Sequence, residues 1–335
     1  MAVTAEAIAH PPRRARFSGP LFKMVVQRVA LGLLLLVAVS MLIFAGTQIL
    51  PGDVATAMLG QQATPEAVAN IRQELGLDRP AVVRYLDWLW GAVQGDFGTS
   101  YTNRQNIAEQ IGRRLGNTLF LAFAAAAIAV PLAIVLGILA VRYRNTWFDR
   151  LISVVTLSTI SLPEFFWGYL LMLFFAVQLQ WFPSSATVFE SMSLGERLWT
   201  IALPTLTLVL VVVGHMMRMT RAAVLNVLSS AYVETAELKG LSPSRIIWRH
   251  ALPNAVAPIV TVVALNLAYL VVGVVVVEVI FVYPGMGQYM VDHVSKRDVP
   301  VVQACGVIFA SVYIILNIIA DVAAVVANPR LRHPR

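Results

Sequence analysis

Residues 119–141 read LFLAFAAAAIAVPLAIVLGILAV, 23 positions without a charge. The stretch does not alternate polar and apolar residues, as a lipid-facing barrel strand would. Nor does it keep a polar face, as a helix on a soluble core would. A run that is apolar on every side, and about as long as the roughly 20 residues that cross a bilayer as helix, predicts a transmembrane helix.

The same character recurs along the chain. Six spans are predicted: Val29–Leu50, Leu115–Val141, Leu151–Val177, Leu198–Met217, Ala255–Val277 and Val299–Ala320. The fold class is an all-α polytopic membrane protein. Composition agrees, since only 13% of residues are charged, against about 25% in soluble domains. Cys305, the lone cysteine, permits no disulfide within the chain and sits in an apolar run as a small buried residue. The first run follows a basic segment but is longer than the about 7–15 apolar residues of a signal peptide. No small-x-small cleavage site follows it, so it is read as a retained helix.

The net charge of +7 is read as loop asymmetry rather than as a sign of nucleic-acid binding. Arg13, Arg14, Arg16, Lys23 and Arg28 precede the first span, and Arg142, Arg144 and Arg150 follow the second. Arg218, Arg221, Lys239, Arg245 and Arg249 lie in the fourth connection, and Arg330, Arg332 and Arg335 in the tail. Placing these segments inside puts both termini in the cytoplasm. The expected organisation is a tail over 1–28, a first helix over 29–50, an extracytoplasmic helical loop over 51–114, a five-helix domain over 115–327 and a tail over 328–335. In the outer loop Thr64 is the expected N-cap, Pro65 the first helical residue and Gly76 the C′ residue of one helix. Val82, Leu86, Leu89, Trp90 and Val93 form an apolar stripe on another; Trp88 and Trp90 suit a membrane interface, and packing on the chain's own outer mouth is the equal alternative.

Reactive constellations are missing. No G-x-x-x-x-G-K-[ST], H-E-x-x-H or G-x-S-x-G occurs, and the five histidines show no metal-ligand spacing. That points to a transport path energised elsewhere. Polar groups inside spans are costly, at about 2.5–3.5 kcal/mol for a central acid, and so mark candidate path residues. Glu164, beside Pro163 and near the middle of the third span, is one; Asn266 and Glu278 are weaker ones. Glu278 and Asp321 fall near span ends, where water or headgroups would solvate them, and Asn317 and Asp321 have the i,i+4 spacing of interhelical contacts.

The fourth connection includes ETAELKGLSPSRIIWRHALP, residues 234–253. Ala231–Lys239 is predicted helical, Gly240 stops it in a left-handed turn, and Ser242 with Pro243 starts a second helix that leads into the fifth span. The spacing resembles the EAA loop of ABC importer permeases: E-A-A, three residues, G, nine residues, I-x-L-P. Glu234, Thr235, Ala236, Gly240, Leu252 and Pro253 take its positions, with Thr235 in place of an alanine and His250 in place of the isoleucine.

LPGD at 50–53, LGLDRPAVVRYLDWLWGAVQGDFGTSY at 75–101, VEVIFVYPGMGQYMVDHVSKRDVPVVQ at 277–303 and NPRLR at 328–332 are similar to the B-type permease subunit of dipeptide, oligopeptide and nickel importers. The resemblance spans nearly the whole chain and implies the type I importer permease fold. It implies half of a translocation pathway in the bacterial inner membrane, paired with a second related permease and contacting membrane lipid. It also implies two ABC ATPase subunits, or one fused, that hold ATP and Mg so that this chain needs no cofactor. An extracytoplasmic binding protein would deliver the cargo. The loop would be the coupling helix: Glu234 contacts an ATPase subunit, Ala236 allows close approach, Gly240 turns the corner, and Leu252 and Pro253 brace the return. An ion-coupled secondary transporter acting alone is the alternative. It would show an inverted repeat and broken helices and would leave the loop unexplained.

Overall fold

A computed structural model describes residues 19–49 and 54–327. The motifs at 50–53 and 328–332, the tail arginines, and residues 1–18 of the predicted N-terminal tail lie outside them. Among the described residues the regular secondary structure is helical, apart from a single bridge between Thr99 and Asn106.

The long helices are α1 (Gly19–Ile49), α5 (Ile107–Arg142), α9 (Ala202–Leu228), α12 (Leu252–Ile280) and α14 (Val299–Ala327). At a rise of about 1.5 Å per residue, each exceeds the roughly 30 Å of a hydrocarbon core. The third predicted span differs. It is broken into α6 (Trp147–Ser161) and α7 (Glu164–Leu171), which continues as a π-helical stretch over Met172–Gln178; the two halves meet at 103°. Leu162 and Pro163 are extended between them, because proline disfavours the α conformation in the residue before it and cannot donate to the ladder.

Helix α9 is the central post, buried from Leu203 to Met217 with few interruptions, and it packs against α5, α12 and α6. Small residues set these distances. Helix α5 offers the row Ala122, Ala125, Ala129 and Ala133, all buried. Added methyl groups would collide at two crossings: a Cβ on Gly137 would lie 2.9 Å from the Thr220 methyl of α9, and one on Gly214 would lie 2.6 Å from Thr159 Oγ1 of α6. With little hydrophobic contrast against lipid, such close backbone approach is what selects neighbours.

Helix α1 lies outside this core and touches α14 antiparallel, with Gly32 against Ile314 and Gly306 against Ile43. Its outward face is apolar and open, as Leu34 and Leu42 show at 71% and 72% exposure. An ion pair from Arg28 to Asp321 at 3.0 Å ties its other end to α14. Asp321 thus has a partner as well as solvent, while Asn317 donates to Tyr313 O one turn back on its own helix.

The segment between α1 and α5 carries α2 (Val54–Leu59), α3 (Pro65–Glu74) and α4 (Ala81–Val93). Thr64 Oγ1 accepts from Ala67 N, and Gly76 takes φ +63° at the α3 terminus, as the sequence indicates. Tyr85, buried on α4, meets Ser40 of α1 at 2.7 Å. The stripe residues Val82, Leu86, Trp90 and Val93 remain exposed on the chain. Two further short helices, α8 (Leu194–Thr200) and α13 (Met286–Ser295), were not expected from the sequence.

Candidate functional site

The fourth connection folds into a corner that projects from one end of the bundle. Helix α9 ends at Leu228; after Ser229 and Ser230 comes α10 (Ala231–Leu238). Gly240 has φ +72°, its N–H bonds Glu237 O at 2.8 Å, and Leu241 N bonds Ala236 O at 3.3 Å. This pair of bonds is a Schellman motif, which the left-handed glycine makes possible. Ser242 then stands at the N-cap of α11 (Pro243–Arg245) in extended conformation. Its side chain makes no capping bond, which corrects the expectation that it caps the helix chemically. From Pro243 the chain runs through a π-helical turn (Ile246–Ala251) into α12, 38 helical residues in all.

Helix α10 has two faces. Val233 and Ala236 are buried against Ile246, with Leu228 and Leu241 closing a small cluster of their own. Glu234, Thr235, Glu237 and Lys239 are exposed, and Leu238 is 84% exposed at the tip. The Tyr232 hydroxyl donates to His250 O, and Arg142 Nε of α5 donates to Ser244 Oγ. The corner is therefore fastened to three long helices. Leu252 is half-buried and Pro253 exposed at the start of α12; nothing in the structure explains His250 in place of an isoleucine.

The candidate path residues do not converge. Glu164 is the first residue of α7, at the 103° bend. Its oxygens face Gly273 of α12, 3.6 and 3.8 Å from where a Cβ there would stand, which is ordinary contact distance. Among the described residues its carboxylate has no hydrogen-bond or ion-pair partner. Asn266, 9% exposed on α12, donates to Val262 O of its own helix.

Glu278 corrects the expectation of solvation at a span end: it is fully buried. One oxygen accepts from Thr118 Oγ1 at 2.6 Å; the other accepts from Gly287 N at 2.7 Å and Gln288 N at 3.1 Å. Those two amides open α13, so Glu278 caps that helix from a different one. The loop must come very close to do this. Glu278 Oε1 lies 2.1 Å from where a Cβ on Gly285 would stand, which only glycine permits.

Two other acids that the sequence did not single out are also committed to the fold. Asp298, fully buried before α14, accepts from Ser100 Oγ, Tyr101 N, Thr102 N and Thr102 Oγ1, clasping the segment before α5. Asp149 of α6 pairs with Arg221 of α9 at 3.0 Å. Their sequence signal is weak: a single acid near a span boundary.

Comparison with known proteins gives one answer. Residues 129–333 match the family described as binding-protein-dependent transport system inner membrane component, and residues 21–122 match the N-terminal component of such systems. The chain is 38% identical over 311 residues to the glutathione transport system permease protein GsiC of Escherichia coli (strain K12), covering 92% of this chain and 98% of that one. It is 36% identical over 311 residues to a Brucella abortus (strain 2308) protein whose name places it, provisionally, in a peptide transport system as the permease, covering 92% and 99%. The fold is similar to a chain of the MetNI methionine ABC transporter in an inward-facing conformation, with TM-score 0.52 and 16% identity, over 65% of this chain and 96% of that one.

Proposed function

Because the chain belongs to the family of binding-protein-dependent transport system inner membrane components, we propose that it moves peptides or similar small solutes and is driven through the α10 corner by separate ATPase subunits. It is a multi-pass membrane permease subunit of an ABC importer, and ATP hydrolysis belongs to other subunits. The cargo class is supported by the names of its relatives, peptide in one case and glutathione in the other.

One observation carries the coupling reading. Helix α10 is packed on one side and bare on the other, with an exposed leucine at its tip and a left-handed glycine behind it. A short helix held this way moves as a unit with α9 and α12, so a push on its bare face becomes rigid-body motion of the spans. Glu234, Thr235 and Leu238 meet the ATPase subunit; Ala236 holds α10 to its base; Gly240 sets the corner; Leu252 and Pro253 start the return. Both termini and this corner then face the cytoplasm, while the loop over 51–114 faces the binding protein outside. A second permease completes the pathway, and ATP with Mg stays on the ATPase subunits. Glu164, unpaired at the bend, is the path residue of this chain; Asn266 and Glu278 are engaged within the fold.

The test is Gly240→Val. A β-branched residue at φ +72° is strained by roughly 1–2 kcal/mol, yet among the described residues no atom beyond its chain neighbours stands within 4 Å of an added Cβ, so insertion persists. Loss of substrate-stimulated ATP hydrolysis and uptake, with normal amounts of assembled complex, is expected. Normal transport in this variant would refute the coupling role. For the cargo, calorimetry of the cognate binding protein with di- and tripeptides should show binding; failure to bind any peptide would refute that class.

A further inference from the structure

A cleft of about 590 Å³ opens where α1 ends and α14 begins, walled by α4 and the segment around Tyr101. It lies away from the α10 corner: α12 runs from that corner to Ile280, α14 returns, and α1 runs antiparallel to α14. Since two spanning helices terminate at its walls, the cleft sits at the depth of one membrane–water interface whichever way the chain is oriented.

The depth of the cleft presents donors without acceptors. Among the described residues Arg84 Nε, Trp88 Nε1 and Gln303 Nε2 are each buried with no hydrogen-bond partner, and all three residues line it. Gln303 is only 3% exposed, so its orphaned amide is an unusual cost for a fold to carry. The Arg84 guanidinium is held in place by Gln48 Oε1 at 2.7 Å and by the Phe44 ring, which leaves Nε directed elsewhere. Burial raises the Tyr101 phenol above its ordinary value, so that group too remains a donor at the wall. Asp78 is the carboxylate among the lining residues, and it is exposed. The exposed lining carries both signs, Asp78 and Arg72, while the buried lining offers donors, which complements a zwitterion whose anionic group enters first.

We propose that this cleft binds the headgroup of a zwitterionic membrane phospholipid, its phosphodiester taken by Arg84, Trp88 and Gln303 and its ammonium facing Asp78. A phosphate oxygen satisfies several N–H donors at once, and charge-assisted bonds to arginine are the stronger kind. Apolar Phe44, Leu77 and Val299 at the same cleft give the upper acyl chain a surface. The lipid would bind where α1, α14 and the α3–α4 segment meet, holding them together at the interface.

The intact importer, purified in detergent, tests this by native mass spectrometry with dihexanoyl phosphatidylethanolamine as probe. The wild-type complex should retain a bound phospholipid that Arg84→Gln combined with Gln303→Leu binds about tenfold or more weakly, the loss expected for one charge-assisted bond or more. ATP hydrolysis by the same variant complex confirms assembly. Equal retention by both complexes overturns the proposal. Displacement by inorganic phosphate at the same concentration assigns the donors to a free anion and overturns the lipid assignment.

Discussion

Replacing Glu278 with alanine is the sharpest probe of this fold. The carboxylate accepts three hydrogen bonds at zero exposure. Its loss strands Gly287 N and Gln288 N, whereas Thr118 can turn its hydroxyl elsewhere and still accept from Met286 N at 2.8 Å. Each stranded buried donor costs about 1–3 kcal/mol, so the expected loss is about 2–6 kcal/mol. Glutamine is milder. Its carbonyl can serve both amides and its amide can donate to Thr118 Oγ1, so only the charge assistance is lost, about 1–2 kcal/mol. Gly285→Ala in the wild-type background drives a methyl into the carboxylate and should be severe; with alanine at 278 the obstacle is gone. The two substitutions should therefore couple by about 1–3 kcal/mol in a double-mutant cycle. The assay is the midpoint of thermal aggregation of the detergent-solubilised complex, followed by size-exclusion chromatography at a fixed heating time, because unfolding of such complexes is governed by rate. A wild-type midpoint for Glu278→Ala would refute the assignment. So would equal damage from Gly285→Ala in both backgrounds.

Asp298→Ala should free the segment around Ser100 without collapsing the bundle, costing about 2–4 kcal/mol locally; limited proteolysis should cut there first, and unchanged protection would contradict the clasp. Removing one member of the partly buried Asp149–Arg221 pair should cost about 1–3 kcal/mol, and replacing both with leucine should recover much of it; thermal midpoints of the three variants check the order. Gly214→Val should abolish the folded yield because Thr159 stands 2.6 Å from the new Cβ, while Gly112→Ala, with nothing within 4 Å, should be neutral or better; fluorescence-detected gel filtration distinguishes them. Val282 has φ +51° at the end of α12, so Val282→Gly should raise the midpoint by relieving strain of roughly 1–2 kcal/mol, offset in part by glycine's chain entropy.

What the sequence determined by itself was local or cumulative. Charge-free length made the spans legible, because crossing lipid demands about 20 apolar residues in a row. The Gly240 corner and the Thr64 and Gly76 termini were legible because each depends on residues within one helical turn. Tertiary structure alone decided the rest. Pro163 announced a disturbance, but whether it makes a kink or a break depends on where α6 and α7 rest, and Gly214 lets α6 settle against α9 at Thr159. Glu278, solvated on a reading of its position in the span, is sealed by Thr118, 160 residues away. Asp298 finds Ser100 across 198 residues. Such partners were illegible because spans that are apolar all round carry no periodic stripe to say which face meets which helix. In lipid that choice falls to small residues and close backbone approach, and these act only once the helices are already side by side.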